Sequence, residues 1–198
     1  MLFRSMPIQP PAGEPYESQV RDVFQRIAGD LALLIDHPVK IRSSSAQRWK
    51  CKPAGTRRVH ISFKLSFDLR GQMSYGALVV PLPDAITLAS YLLMVPDEHV
   101  PAKRALTTLD QPTKDAMLEV ANFIGGATDG ALRLRFPQGL SVRSKGCQGL
   151  RAEQPPGFPY KIGDDLIVGK AKVLIGDFPS FDMLLILPLL TPENAPAG

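Results

Sequence analysis

PTKDAMLEVANFIGGA, running from Pro112 to Ala127, divides its residues between two sides of a helix. At about 100° per residue, the apolar Met117, Val120, Ala121 and Ile124 fall within roughly 100° of one another, and Asp115, Glu119 and Asn122 gather near the opposite pole. The apolar stripe predicts a helix docked on a core, and Asp110 just upstream is available as its N-terminal cap. On the polar side, a carboxylate and a carboxamide one turn apart can grip a partner's cation and orient a water together. The same residues are also ordinary occupants of a solvated helix face. Asn122 stands out among them, because Asn competes for backbone hydrogen bonds and is a poor helix-interior residue.

Working outward, Tyr16 to Ile35 places Val20, Phe24, Ile27, Leu31 and Leu34 at helical spacing, and His37-Pro38 ends that helix because the residue before proline is pushed out of the α region. Val39 to Arg42 reads as the entry to a strand, followed by a basic loop from Ser43 to Thr56. Trp49 within this loop either packs over a sheet edge or contacts a partner. Val59 to Phe67 alternates apolar and polar residues, the pattern of a strand with one buried face. Gly71 turns the chain into Met73 to Val80, whose continuously apolar second half predicts a central strand closed by Pro81 and Pro83. Asp84 to Val95 is helix-like, and a linker leads to the helix at Pro112, with a break expected at Gly125-Gly126. Beyond Gly130, strands are expected at Leu132 to Phe136, Leu140 to Arg143, Leu166 to Ile175 and Asp182 to Leu190, with a loop from Lys145 to Gly163. This order predicts a two-layer α+β fold with a largely antiparallel sheet packed against helices.

The residues and their order resemble the CheC/CheX/FliY phosphatases, in particular the single-domain CheX type. Asp115-x3-Glu119-x2-Asn122, followed by Gly125-Gly126, is similar to the active-site helix of that family, and the resemblance covers about residues 15 to 190. It implies a CheC-like fold and a chemotaxis-type phosphatase that hydrolyses the aspartyl phosphate of a CheY-like response regulator. Asn122 would orient the water, Glu119 would dock the partner's lysine and Asp115 would make a peripheral partner contact. The protein would need no cofactor or metal of its own, since the Mg²⁺ belongs to the response regulator. A homodimer paired through sheet edges is also implied. Where the family carries a proline downstream of its Asn, this chain has Ser144 and Lys145. The resemblance therefore also fits a non-catalytic module that binds a receiver domain or signalling assembly. The first helix repeats the spacing with Ser18, Asp22 and Gln25, but each acid and amide differs by one methylene, and no second active site is assigned.

Composition narrows the remaining classes. With 198 residues, the chain can bury about 70% of its unfolded surface, enough for one core without staples. We expect a Pro-rich arm over 1–14, one domain over 15–190 and a disordered tail over 191–198. No apolar stretch approaches the roughly 18 residues of a membrane helix, and the start lacks the apolar core of a secretory signal, so a cytoplasmic protein is expected. Cys51 and Cys147 have no metal-ligand spacing, and Cys51, between Lys50 and Lys52, is either a reactive thiol or an incidental one. His37, His60 and His99 form no metal or catalytic pairing, and no phosphate-binding Walker loop is present.

The net charge is +4 but unevenly spread. Between Lys40 and Arg70, nine bases (Lys40, Arg42, Arg48, Lys50, Lys52, Arg57, Arg58, Lys64 and Arg70) face the single acid Asp68, and Arg133 to Arg151 contains no acid. Such patches attract acidic partners. Without helix-turn-helix, RNP-like or finger spacing, nucleic acid is not the expected one; a solvated face or a docking surface for an acidic protein fits better.

Overall fold

The computed structural model describes residues 15–137 and 139–190. Helix α1 (Pro15–Ile35) leads into β1 (Val39–Trp49), and β2 (His60–Leu69) and β3 (Gln72–Pro81) form a hairpin. Helix α2 (Leu82–Leu92), a 3₁₀ turn (Asp97–His99), a short α3 (Val100–Arg104) and the long α4 (Gln111–Arg133) follow. The chain ends in β4 (Leu140–Leu150), β5 (Leu166–Ile175) and β6 (Phe181–Pro188). The six strands form one sheet in the order β1-β5-β6-β3-β2-β4, every neighbouring pair antiparallel. The α+β architecture with an antiparallel sheet is as the sequence predicts, and β3 is central. The Pro-rich arm expected over 1–14 and the disordered tail expected over 191–198 lie outside the described residues.

One face of the sheet carries the helices. Phe24, Ile27 and Leu31 of α1, Met117, Val120 and Ile124 of α4, and Phe63, Leu65 and Phe67 of β2 are all fully buried in this core. Each such side chain contributes about 1.5–3 kcal/mol of transfer free energy. On the opposite face, Ala77, Val79, Leu166, Val168, Leu184 and Ile186 are covered by Phe158 from the segment 151–165, with Trp49, Tyr75 and Tyr160 packed around them. Burial on both faces explains why β3 and β6 read as continuous apolar runs rather than alternating ones. Trp49 thus packs at the end of the edge strand β1, opposite Leu166.

Five expectations are corrected. The segment expected as a loop from Ser43 continues as β1 to Trp49, paired residue by residue with β5. As an edge strand with one largely open face, it satisfies its backbone on one side only and needs few apolar residues, so alternation is absent. Helix α4 does not break at Gly125-Gly126 but runs to Arg133. The strand expected at Leu132 to Phe136 is the end of that helix, where the Arg135 and Phe136 amides both donate to the Leu132 carbonyl at 2.9 Å. An Asp129–Arg133 ion pair at 2.7 Å supports the last turn. Finally, β4 extends through the first part of the expected loop, to Leu150, and the linker before α4 is itself helical at Val100–Arg104.

Arg104, in that former linker, ties several elements together. Its guanidinium bonds Asp84 Oδ1 at 2.9 Å and Thr87 Oγ1 on α2 and lies 4.4 Å from the centre of the Phe178 ring between β5 and β6. His37 stacks on Tyr91 beside this cluster and reaches Asp97 at 3.2 Å.

Candidate functional site

Helix α4 begins as its sequence dictates. Asp110 accepts a hydrogen bond from the Thr113 amide at 2.9 Å, and Pro112 follows in the first turn, where no amide partner is needed. The bond to Thr113 holds the Asp110 carboxyl below the usual carboxylate range. Ala116, Met117, Val120, Ala121 and Ile124 then turn inward, which forces the opposite ridge into solvent.

That ridge carries Asp115, Glu119 and Asn122, all exposed. Asp115 accepts a hydrogen bond from Gln111 Nε2 at 2.7 Å. Among the described residues, neither Glu119 nor Asn122 makes a hydrogen bond or ion pair, so the acid and amide are both available to an incoming group. Gly126, one turn beyond Asn122, is exposed, and a Cβ built there meets nothing within 4 Å. Leu118 and Phe123, 45% and 43% exposed, stand on either flank of the ridge. A polar centre flanked by apolar side chains and a bare glycine suits a surface that meets another protein. Sequence reasoning missed this flanking, because at helical spacing Leu118 and Phe123 sit at the margins of the apolar stripe.

Beside the ridge runs β4, which carries Ser144 and Lys145. Phe63 pairs with Cys147 and Leu65 with Ser144, so Lys145 and Gly146 together face Lys64 in a bulge. Gly146 has φ +78°, which suits glycine, and its amide donates to Ser144 Oγ at 3.1 Å. Leu118 Cδ2 lies 3.6 Å from where a Gly146 Cβ would stand. The bulge thus lies beside Leu118, on one flank of the α4 surface.

The echo on α1 is engaged within the fold. Arg135, just past α4, bonds Asp22 Oδ2 at 2.6 Å and Ser18 Oγ at 2.9 Å, so these residues tie α1 to α4 rather than present a second open site. Cys51 is half-buried, and burial raises the Cys147 thiol above its ordinary range. Among the described residues there is no group of His, Cys, Asp or Glu able to hold a metal, and no helix is long and apolar enough to cross a membrane.

No known sequence family and no curated protein matches the chain. Its fold is nevertheless similar to solved structures. FliY from Thermotoga maritima superposes with a TM-score of 0.64 at 13% identity, covering 93% of each chain. The chemotaxis protein CheX from Desulfovibrio desulfuricans gives 0.54 at 14% identity, covering 85% of this chain and 97% of that one. FliM from H. pylori, in a FliG–FliM complex, gives 0.59 at 9% identity, covering 92% and 97%. The protein has a CheC/CheX/FliY-type fold.

Proposed function

We propose that this protein is a phosphatase for the aspartyl phosphate of a CheY-like response regulator, acting through the exposed ridge of α4. The observation that carries this reading is the pair Glu119 and Asn122, three residues apart on a rigid helix, both exposed and free of partners among the described residues. In the reaction, water attacks phosphorus, the bond to the aspartyl oxygen breaks, and the partner's carboxylate leaves as inorganic phosphate forms. Asn122 holds the attacking water in line through its carboxamide. Glu119 pairs with the partner's active-site lysine and keeps the phosphorylated site beside Asn122, while Asp115 contacts the partner further along the helix. A Mg²⁺ held by the partner would neutralise phosphate charge; this chain supplies orientation, which is worth several kcal/mol of barrier. No covalent intermediate forms on this protein.

The second reading is a module that docks a receiver domain or signalling assembly without hydrolysis. Two observations favour it: the bulge at Lys145 and Gly146 where the family carries a proline, and the FliM fold, solved bound to FliG, among the similar structures. The deciding experiment measures the phosphoryl lifetime on a CheY-like receiver domain, with and without this protein. A lifetime shortened in proportion to protein concentration supports the phosphatase. Binding with an unchanged lifetime leaves the docking module.

A further inference from the structure

The helix-free face of the sheet is only half covered. Over β3 and β6 the segment 151–165 closes it, but toward β1 a groove of about 850 Å³ stays open. Ser45 and Gln47 of β1, Val168, Lys170 and Lys172 of β5, and Asp182 and Leu184 of β6 form its floor, and residues 53–58 form its wall. The wall is anchored: a Cβ on Gly55 would stand 2.5 Å from the Gln154 carbonyl, and the Glu153 amide donates to the Thr56 carbonyl at 2.8 Å.

The charges are one-sided. Arg57, Arg58, Lys170 and Lys172 line the groove against Asp182 alone, and Lys172 already pairs with Asp182 at 2.9 Å. Among the described residues no carboxylate lies within 4 Å of Arg57, Arg58 or Lys170. Three cations thus converge on a groove with an apolar strip, Val168 and Leu184, along its floor.

We propose that this groove binds an extended acidic segment of a partner protein. From Ser45 to Trp49 the floor spans about 13 Å at 3.3 Å per residue, room for about four or five extended residues. Carboxylates would reach Arg57, Arg58 and Lys170 while an apolar side chain rests on Val168 and Leu184. A nucleic acid fits less well, because the aromatic side chains lining the groove, Trp49 and Phe181, are partly or fully buried rather than presented for stacking. The site lies across the sheet from α4, so it goes beyond the phosphatase reading and stands without it.

The test is fluorescence anisotropy with the full chain and a labelled peptide of about five residues alternating Glu and Leu. We expect saturable binding that weakens as salt rises from about 50 to about 300 mM, because screening shortens the reach of the charges. The triple variant Arg57→Glu, Arg58→Glu, Lys170→Glu should weaken it at least about tenfold, since like charges would then meet across the site. Its circular dichroism and any activity at α4 should be unchanged. Absence of saturable binding at low salt, an unaltered affinity in the triple variant, or tighter binding of a labelled oligothymidylate would each overturn the proposal. Tighter peptide binding after removal of 1–14 or 191–198 would assign the groove to the chain's own terminus and overturn it as a partner site.

Discussion

Gly125 of α4 and Ser144 of β4 meet at backbone distance: a Cβ built on Gly125 would stand 2.8 Å from the Ser144 amide nitrogen and 3.3 Å from its Cβ. The helix crosses the strand where neither has a side chain to spare. Glycine inside a helix costs about 0.5–1 kcal/mol relative to Ala, and here the close approach offsets that cost.

Adjacent glycines should therefore respond in opposite directions. Gly125→Ala forces helix and strand apart and should lower stability by about 1–3 kcal/mol. Gly126→Ala points into open space and should raise it by about 0.5–1 kcal/mol. Urea unfolding of both variants checks the pair, and equal shifts would contradict the packing described.

Asp84 is 4% exposed and depends on Arg104. Removing the guanidinium in Arg104→Ala leaves a buried carboxylate uncompensated and should cost about 3–5 kcal/mol, whereas replacing both residues with Leu should cost far less. Burial already raises the Asp84 pKa, with Arg104 opposing it. In the single variant only the weaker pull of Arg58 still opposes burial, and the folded pKa rises further above the unfolded value of about 3.9. The native state then binds the proton more readily than the unfolded chain. The variant's stability should fall as pH rises through that window and recover as pH drops. Urea midpoints across pH measure this.

Asp165 has the opposite sign. Its hydrogen bond from Arg48, at 2.6 Å, lowers its pKa, so the contribution is present above the unfolded value of about 3.9 and lost as pH falls through the folded one. The pair is partly solvated, which limits it to roughly 1 kcal/mol or less. Asp165→Asn should match the parent's stability at low pH and fall below it near neutrality.

Legibility followed the strength of local patterning. Helix α1, the β2–β3 hairpin, β5 and β6 announced themselves through period or apolar runs, as did the inner and outer sides of α4. Strand β1 did not, because Ser45 and Gln47 face a groove rather than a core. The continuation of α4 through Gly125 and Gly126 was hidden because a glycine pair is a local stop signal, overruled here by the tertiary contact with Ser144. The bulge at Lys145 and Gly146 depends on β2–β4 register, which no local pattern encodes. At the candidate site, the polar ridge was readable from helical spacing, whereas the bare surface at Gly126 required the third dimension.

The last prediction separates the proposed roles of Asn122 and Glu119. Water orientation matters only on the way to the transition state, so Asn122→Ala should slow stimulated dephosphorylation about a hundredfold or more while leaving partner affinity nearly unchanged. A carboxylate paired with a partner lysine acts in the bound complex too. Glu119→Ala should therefore weaken both binding and turnover and reduce the salt dependence of binding. Both side chains lie on the exposed face of α4 with no partners among the described residues, and Ala is the better helix former, so neither substitution should unfold the protein. Phosphoryl lifetime and receiver binding are measured on each variant, with circular dichroism as the folding control. Full activity in Asn122→Ala would remove the phosphatase mechanism and leave docking as the account of this surface; loss of affinity in Asn122→Ala equal to that in Glu119→Ala would show that the amide binds rather than positions water.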